Sequence, residues 1–184
     1  MKAPFKTEGF ELAPAGNHLA RIYGLVDIGM QETNFGEKHE IYVLWELPLE
    51  LDKKGEVHTK AKRYTLSLNE KANLCKMIEG LLGRKLSNEQ KEIFDFSKLV
   101  GKECMVSITH DDGNDGKQYA NIHSVTPVAR GMTVPAQLNP SVYFDLDDFN
   151  PADFESLPEW VRDKINLPES NGVEPEGQDD PFDI

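Results

Sequence analysis

Two cysteines in 184 residues, Cys75 and Cys104, leave no material for a disulfide framework and no Cys/His set with metal-ligand spacing. Both fall at core-like positions and read as free buried thiols. No apolar run approaches the roughly 20 residues that cross a bilayer. The opening MKAPFKTEGF has no apolar stretch of the kind a signal peptide needs, so neither anchor nor export is expected and the chain reads as cytosolic. Catalytic signatures are missing as well. His18, His39, His58, His110 and His123 are scattered with no H-E-x-x-H spacing, and there is no G-x-S-x-G and no P-loop. Asp111, Asp112 and Asp115 in DDGNDG lack the length and the closing Glu of an EF-hand loop and read as a turn. The expectation is a binding protein, not an enzyme, with no metal and no cofactor.

Basic residues are scarce only at one end. Residues 145–184 hold 13 Asp and Glu against Arg162 and Lys164, a net of −11, whereas residues 1–144 carry 19 acids against 18 bases, a net of −1. The acidity therefore belongs to the tail, and the body is close to neutral. A charge run of this kind is commonly a solvated, solubilising terminus. Here Phe182 and Ile184 stand among Asp179, Asp180 and Asp183 after the segment ESNGVEPEGQ, whose composition predicts disorder. Solvation alone has no use for apolar residues at such a tip. They suit docking into a basic-rimmed pocket of another protein, or electrostatic competition for a nucleic-acid groove.

The stretch from Lys60 to Gly83 organises the rest. Lys60, Lys62, Arg63 and Tyr64, with Val57, Thr59 and Thr65, predict an extended strand. Ser67 and Glu70 have the spacing of a capping box, and Leu74, Met77, Ile78, Leu81 and Leu82 form one apolar helical stripe that Gly83 closes. Residues 18–30 read as the first strand, with Gly24 a candidate bulge, followed by a loop over residues 31–38 that carries Phe35. Residues 39–48 alternate as the second strand, with Ile41, Val43, Trp45 and Leu47 on its core face. Ser87 and Gln90 repeat the capping signature. Residues 102–110 and 117–128 then predict a hairpin around DDGNDG. Three strands, a helix and two strands is the order of a five-stranded OB-fold barrel, and that is the expected fold, mainly β with helices. The expected divisions are an N-terminal arm over residues 1–17, the OB-fold domain over 18–130, a linker, extended segment and short helix packing on the barrel over 131–168, and a disordered acidic tail over 169–184.

Cations interleave with aromatic rings on the predicted strands: Arg21 and Tyr23, then Lys60, Lys62, Arg63 and Tyr64, then Lys117, Tyr119 and His123. Single-stranded nucleic acid wants this combination, because cations track phosphates while rings stack on bases, each stack contributing about 1–3 kcal/mol with little regard for sequence. Phe35 in its loop is weighed as a further stacking ring against a packing anchor, and Trp45 is read as core.

The runs Lys62-Arg63-Tyr64-Thr65-Leu66-Ser67, Glu70-Lys71-Ala72-Asn73-Leu74, Gly101-Lys102, Gly116-Lys117, Tyr119-Ala120-Asn121-Ile122 and Leu157-Pro158-Glu159-Trp160 together resemble bacteriophage single-stranded DNA-binding proteins of the OB-fold type. The resemblance spans most of residues 18–165. It implies a non-catalytic protein that coats exposed strands during phage DNA replication or recombination in the cytoplasm of a bacterial host, with Lys62, Arg63, Tyr64, Lys117 and Tyr119 on the binding barrel. The tail is similar to the acidic tips of bacterial single-stranded DNA-binding proteins, which meet replication or recombination proteins. It departs from them in placing Asp183 and Ile184 after Phe182. Two other readings of the whole chain are an acidic protein-interaction module, adaptor or inhibitor, and an accessory subunit of a nuclease or polymerase.

Overall fold

The computed structural model describes residues 11–167. An antiparallel sheet runs in the order β3-β2-β1-β4-β5, built from β1 (Gly16–Thr33), β2 (Gly36–Leu51), β3 (Val57–Thr65), β4 (Glu103–Asp112) and β5 (Gln118–Thr126). A short β6 (Val142–Phe144) pairs parallel with β1. The helices are α1 (Asn73–Leu82), α2 (Asn88–Glu92), α3 (Pro151–Ser156) and α4 (Glu159–Arg162), with a 3₁₀ turn at Phe96–Leu99 before β4. No ladder joins β3 to β5, so the sheet is not closed. Among the described residues no helix is long and apolar enough to cross a membrane.

The two long strands β1 and β2 pair from Arg21 with Glu46 to Thr33 with Gly36. The polar stretch over residues 31–38, expected to be a loop, is instead the end of this ladder, and only Asn34 and Phe35 turn the chain. Gly24 lies at a register shift between β1 and β2, as its place in the strand predicts. A Cβ there would stand 2.9 Å from Leu44 Cδ1 and 3.1 Å from the Val142 Cβ, so a larger residue would have to displace the Leu44 side chain and press on Val142 of β6.

Two cores lie on opposite faces of the sheet. On the inner face, Ile22, Ile41, Val43, Trp45, Cys104, Val106, Ile108 and Ile122 pack against Leu74, Met77, Ile78 and Leu81 of α1, while Leu82, the last residue of the stripe read from the sequence, is exposed. Cys75 and Cys104 are free and buried, and burial pushes the Cys104 thiol up to about 12. Helix α1 reaches both β3 and β5 and so plugs the gap between the ends of the sheet. At Gly80 a Cβ would run into the Val125 carbonyl oxygen, which shows how near the helix lies to β5. On the outer face, Val26, Ile28 and Leu44 are covered by Phe144, Leu157, Val161 and Ile165. The segment after β5 thus packs on the sheet, and its helices of six and four residues are too short to stand alone.

Helix α1 starts later than the Ser67/Glu70 spacing predicts. Its N-cap is Ala72, with no side-chain cap bond. Ser67 Oγ accepts instead from the Asn69 amide at 3.3 Å, a local turn that competes with helix nucleation. The Ser87/Gln90 box does form, with both reciprocal bonds, and Gly83 ends α1 in the left-handed region at φ 65°.

Candidate functional site

Register decides what the Lys60–Tyr64 strand can present. Ile41 stands opposite Tyr64, Val43 opposite Lys62 and Trp45 opposite Lys60, so these three side chains share the core side of β3. Tyr64 is 5% exposed and its ring meets that of Trp45 edge to face at 6.3 Å. Burial pushes its hydroxyl pKa upward. Lys62 Nζ lies 5.4 Å from the centre of the Tyr64 ring and donates at 2.7 Å to the carbonyl of Ile122 on β5. The lysine therefore bridges the seam where no backbone ladder forms. Burial lowers the pKa of both Lys60 and Lys62, because an ammonium withdrawn from water is disfavoured. Tyr64, read from the sequence as a stacking ring, is placed as a wall of the core.

Arg63, the odd member of the run, points to the outer face. Its cross-strand neighbour is Tyr42, and its Nε lies 3.0 Å from Glu40 Oε2, with the arginine side chain 45% exposed. The same face leads to the β1–β2 turn. There Thr33 Oγ1 donates to the Gly36 carbonyl at 2.6 Å and accepts from the Phe35 amide at 3.1 Å, which fixes the turn. The Phe35 ring is 85% exposed. Lys38 Nζ sits 5.2 Å from its centre, within cation–π range. Phe35, Lys38, Arg63 and Thr65 line a groove of about 340 Å³ together with Glu32 and Glu40. The arrangement offers an open ring, two cations and a neighbouring hydroxyl on one surface. Lys38 was not singled out in the sequence, because a residue assigned to a loop has no face. Extending the strand alternation back from Ile41 would have put it beside Glu40 and Tyr42.

The remaining candidates fall elsewhere. Arg21 is largely buried and acts as a clasp, donating to the carbonyls of Gly101 and Pro135 at 3.0 and 2.9 Å and pairing with Glu103 at 2.8 Å. Tyr23 packs half-buried against the outer core, where burial, then the charge of Glu46, raises its pKa. Lys117, Tyr119 and His123 are exposed on β5 and its turn. That hairpin is acidic. Tyr119 donates its hydroxyl to Asp115 Oδ2 at 2.5 Å, which with the Lys117 amide holds the Asp115 carboxyl below the usual range. Asp111 is held low in the same way by Asn121 and Thr109. The structure brings Phe35 and Arg63 together, sets Lys60, Lys62 and Tyr64 behind them on the inner side, and leaves Arg21, Tyr23, Lys117, Tyr119 and His123 apart. The tail residues Asp179, Asp180, Phe182, Asp183 and Ile184 lie outside the described residues. Compared with known proteins, the chain matches no family model and no curated sequence.

Proposed function

We propose that the protein binds single-stranded DNA without reading its sequence, at the groove between the β1–β2 turn and the outer face of β3. The observation that carries this reading is the pairing of an open ring, Phe35, with Lys38 of β2 and Arg63 of β3 around one groove. A base stacks on the phenyl ring while the cations hold adjacent phosphates, and hairpin placement keeps the pieces in register. The architecture that fits is an OB-fold barrel. The path β3-β2-β1-β4-β5 with α1 plugging the gap between β3 and β5 supports it, and OB folds take oligonucleotides on strands 2 and 3 and on the loop between strands 1 and 2. Coating of exposed strands in phage replication or recombination, with the acidic tail meeting partner proteins or competing with DNA, is the biological role in which this chemistry is used.

The test is fluorescence anisotropy of a labelled oligo-dT titrated with the full chain at low and moderate salt, with duplex of equal length as competitor. Tight binding that the duplex fails to displace is expected, weakening with a log–log salt slope of about −0.7 per phosphate neutralised. No binding at low salt overturns the reading. The protein-interaction module would then lead, favoured by a cleft of about 350 Å³ beside the end of β2, where Leu49, Met105 and Met132 stand around His18 and Glu50.

A further inference from the structure

The chain has two tryptophans, and they differ completely in placement: Trp45 is wholly buried in the inner core, whereas Trp160 on α4 is 47% exposed on the outer face. The Trp160 ring meets the ring of Tyr42 at 5.6 Å and 79°, an edge-to-face contact that fixes its orientation and leaves about half of it open. Tyr42 in turn has Arg63 as its direct cross-strand partner, the same arginine that lines the Phe35 groove. Lys38, Glu40 and Tyr42 alternate on one face of β2, so Lys38 and Tyr42 stand about 13 Å apart along the strand. A continuous line then runs from Phe35 through Lys38 and Arg63 to Tyr42 and Trp160, with a ring at each end and cations between.

We infer that Trp160 is a second stacking platform, so that the segment after β5 is a working part of the nucleic-acid interface as well as a cover for the outer core. This rests on the single-stranded DNA reading above. The occupant is a single strand and not a duplex, because only unpaired bases offer faces to rings set along a strand path. Phosphates between the two stacked bases meet Lys38 and Arg63. Arg63 keeps its orientation through Nε against Glu40, and a guanidinium has five donors with which to meet a phosphate as well. Glu159 and Asp163 flank Trp160 and make this end of the line less favourable to phosphate than the Phe35 end. Trp160 is therefore placed to serve by stacking alone.

The experiment titrates the full chain and its Trp160→Phe and Trp160→Ala variants with oligo-dT, reading tryptophan emission and, in parallel, anisotropy of the labelled oligonucleotide. Expected are a saturable emission change in the unaltered protein and its disappearance in Trp160→Phe, with affinity kept within about twofold because the phenyl ring still stacks. Trp160→Ala is expected to bind about tenfold more weakly. Emission from Trp45 and the thermal melt report whether that variant keeps its fold; if it does not, the Trp160→Phe emission result decides. An emission change that survives in Trp160→Phe, or an unaltered affinity in folded Trp160→Ala, overturns the inference while the DNA-binding reading stands. Absence of any anisotropy change in the unaltered chain overturns both.

Discussion

Lys38 lies 5.2 Å from the ring centre of Phe35 and Lys62 lies 5.4 Å from that of Tyr64, yet the first ring is 85% exposed and the second 5%. The same pairing of cation and aromatic therefore does two jobs. Around Tyr64 the ring belongs to the core with Trp45, and the lysine, bonded to the Ile122 carbonyl, ties β3 to β5 where the sheet stays open. Around Phe35 the turn supplies rigidity from backbone and Thr33 bonds alone, so both ring faces are free of core duties. Proximity of a lysine to a ring says nothing about availability. Burial decides it.

The largest expected effect separates the two rings by stability. Tyr64→Ala removes a buried aromatic and leaves a cavity, and a loss of about 3 kcal/mol is expected in urea unfolding, whereas Phe35→Ala stays within about 0.5 kcal/mol. Equal losses would break the comparison. Next in size is binding. Phe35→Ala combined with Lys38→Ala is expected to weaken oligo-dT binding by roughly tenfold or more and to make the salt slope shallower by about 0.7, one phosphate contact having gone. Retention of both affinity and slope would move the site away from the hairpin.

The smallest effect concerns another exposed ring, Tyr119, whose partner is an acid. Its hydroxyl bond to Asp115 is the leading cause of that carboxyl's lowered pKa. A depressed acid pKa contributes stability that is present above the unfolded value near 3.9 and lost as pH falls through the folded value. Tyr119→Phe is therefore expected to flatten the fall in melting temperature between roughly pH 5 and pH 2, while oligo-dT affinity at neutral pH stays within about twofold. A large affinity loss would return the acidic hairpin to the interface.

The strands were legible wherever one face is apolar and the other polar. Ile41, Val43, Trp45 and Leu47 on β2, and Cys104, Val106 and Ile108 on β4, lie buried on the side that alternation assigns them. Local chemistry was less decisive at α1, where Ser67 and Glu70 have capping spacing but the serine bonds a nearer amide. The Lys60–Tyr64 run was misleading in a specific way. Four adjacent cations and rings look like one patch in sequence, but side chains alternate across a strand, so Lys60, Lys62 and Tyr64 go to the core side and Arg63 alone to the outer one.

By itself the sequence determined the order of the five longer strands with α1 between the third and fourth, most of the apolar stripe of α1, the inward faces of β2 and β4, and the concentration of negative charge at one end, since each follows from local periodicity or composition. Only the tertiary structure decided which face of β3 meets the helix, and that the segment after β5 covers Val26, Ile28 and Leu44. It also decided that Phe35, Lys38 and Arg63 line one groove, that Arg63 pairs across the strands with Tyr42, and that Tyr42 meets Trp160. Those facts depend on pairings between residues far apart in the chain, and no local pattern encodes a register.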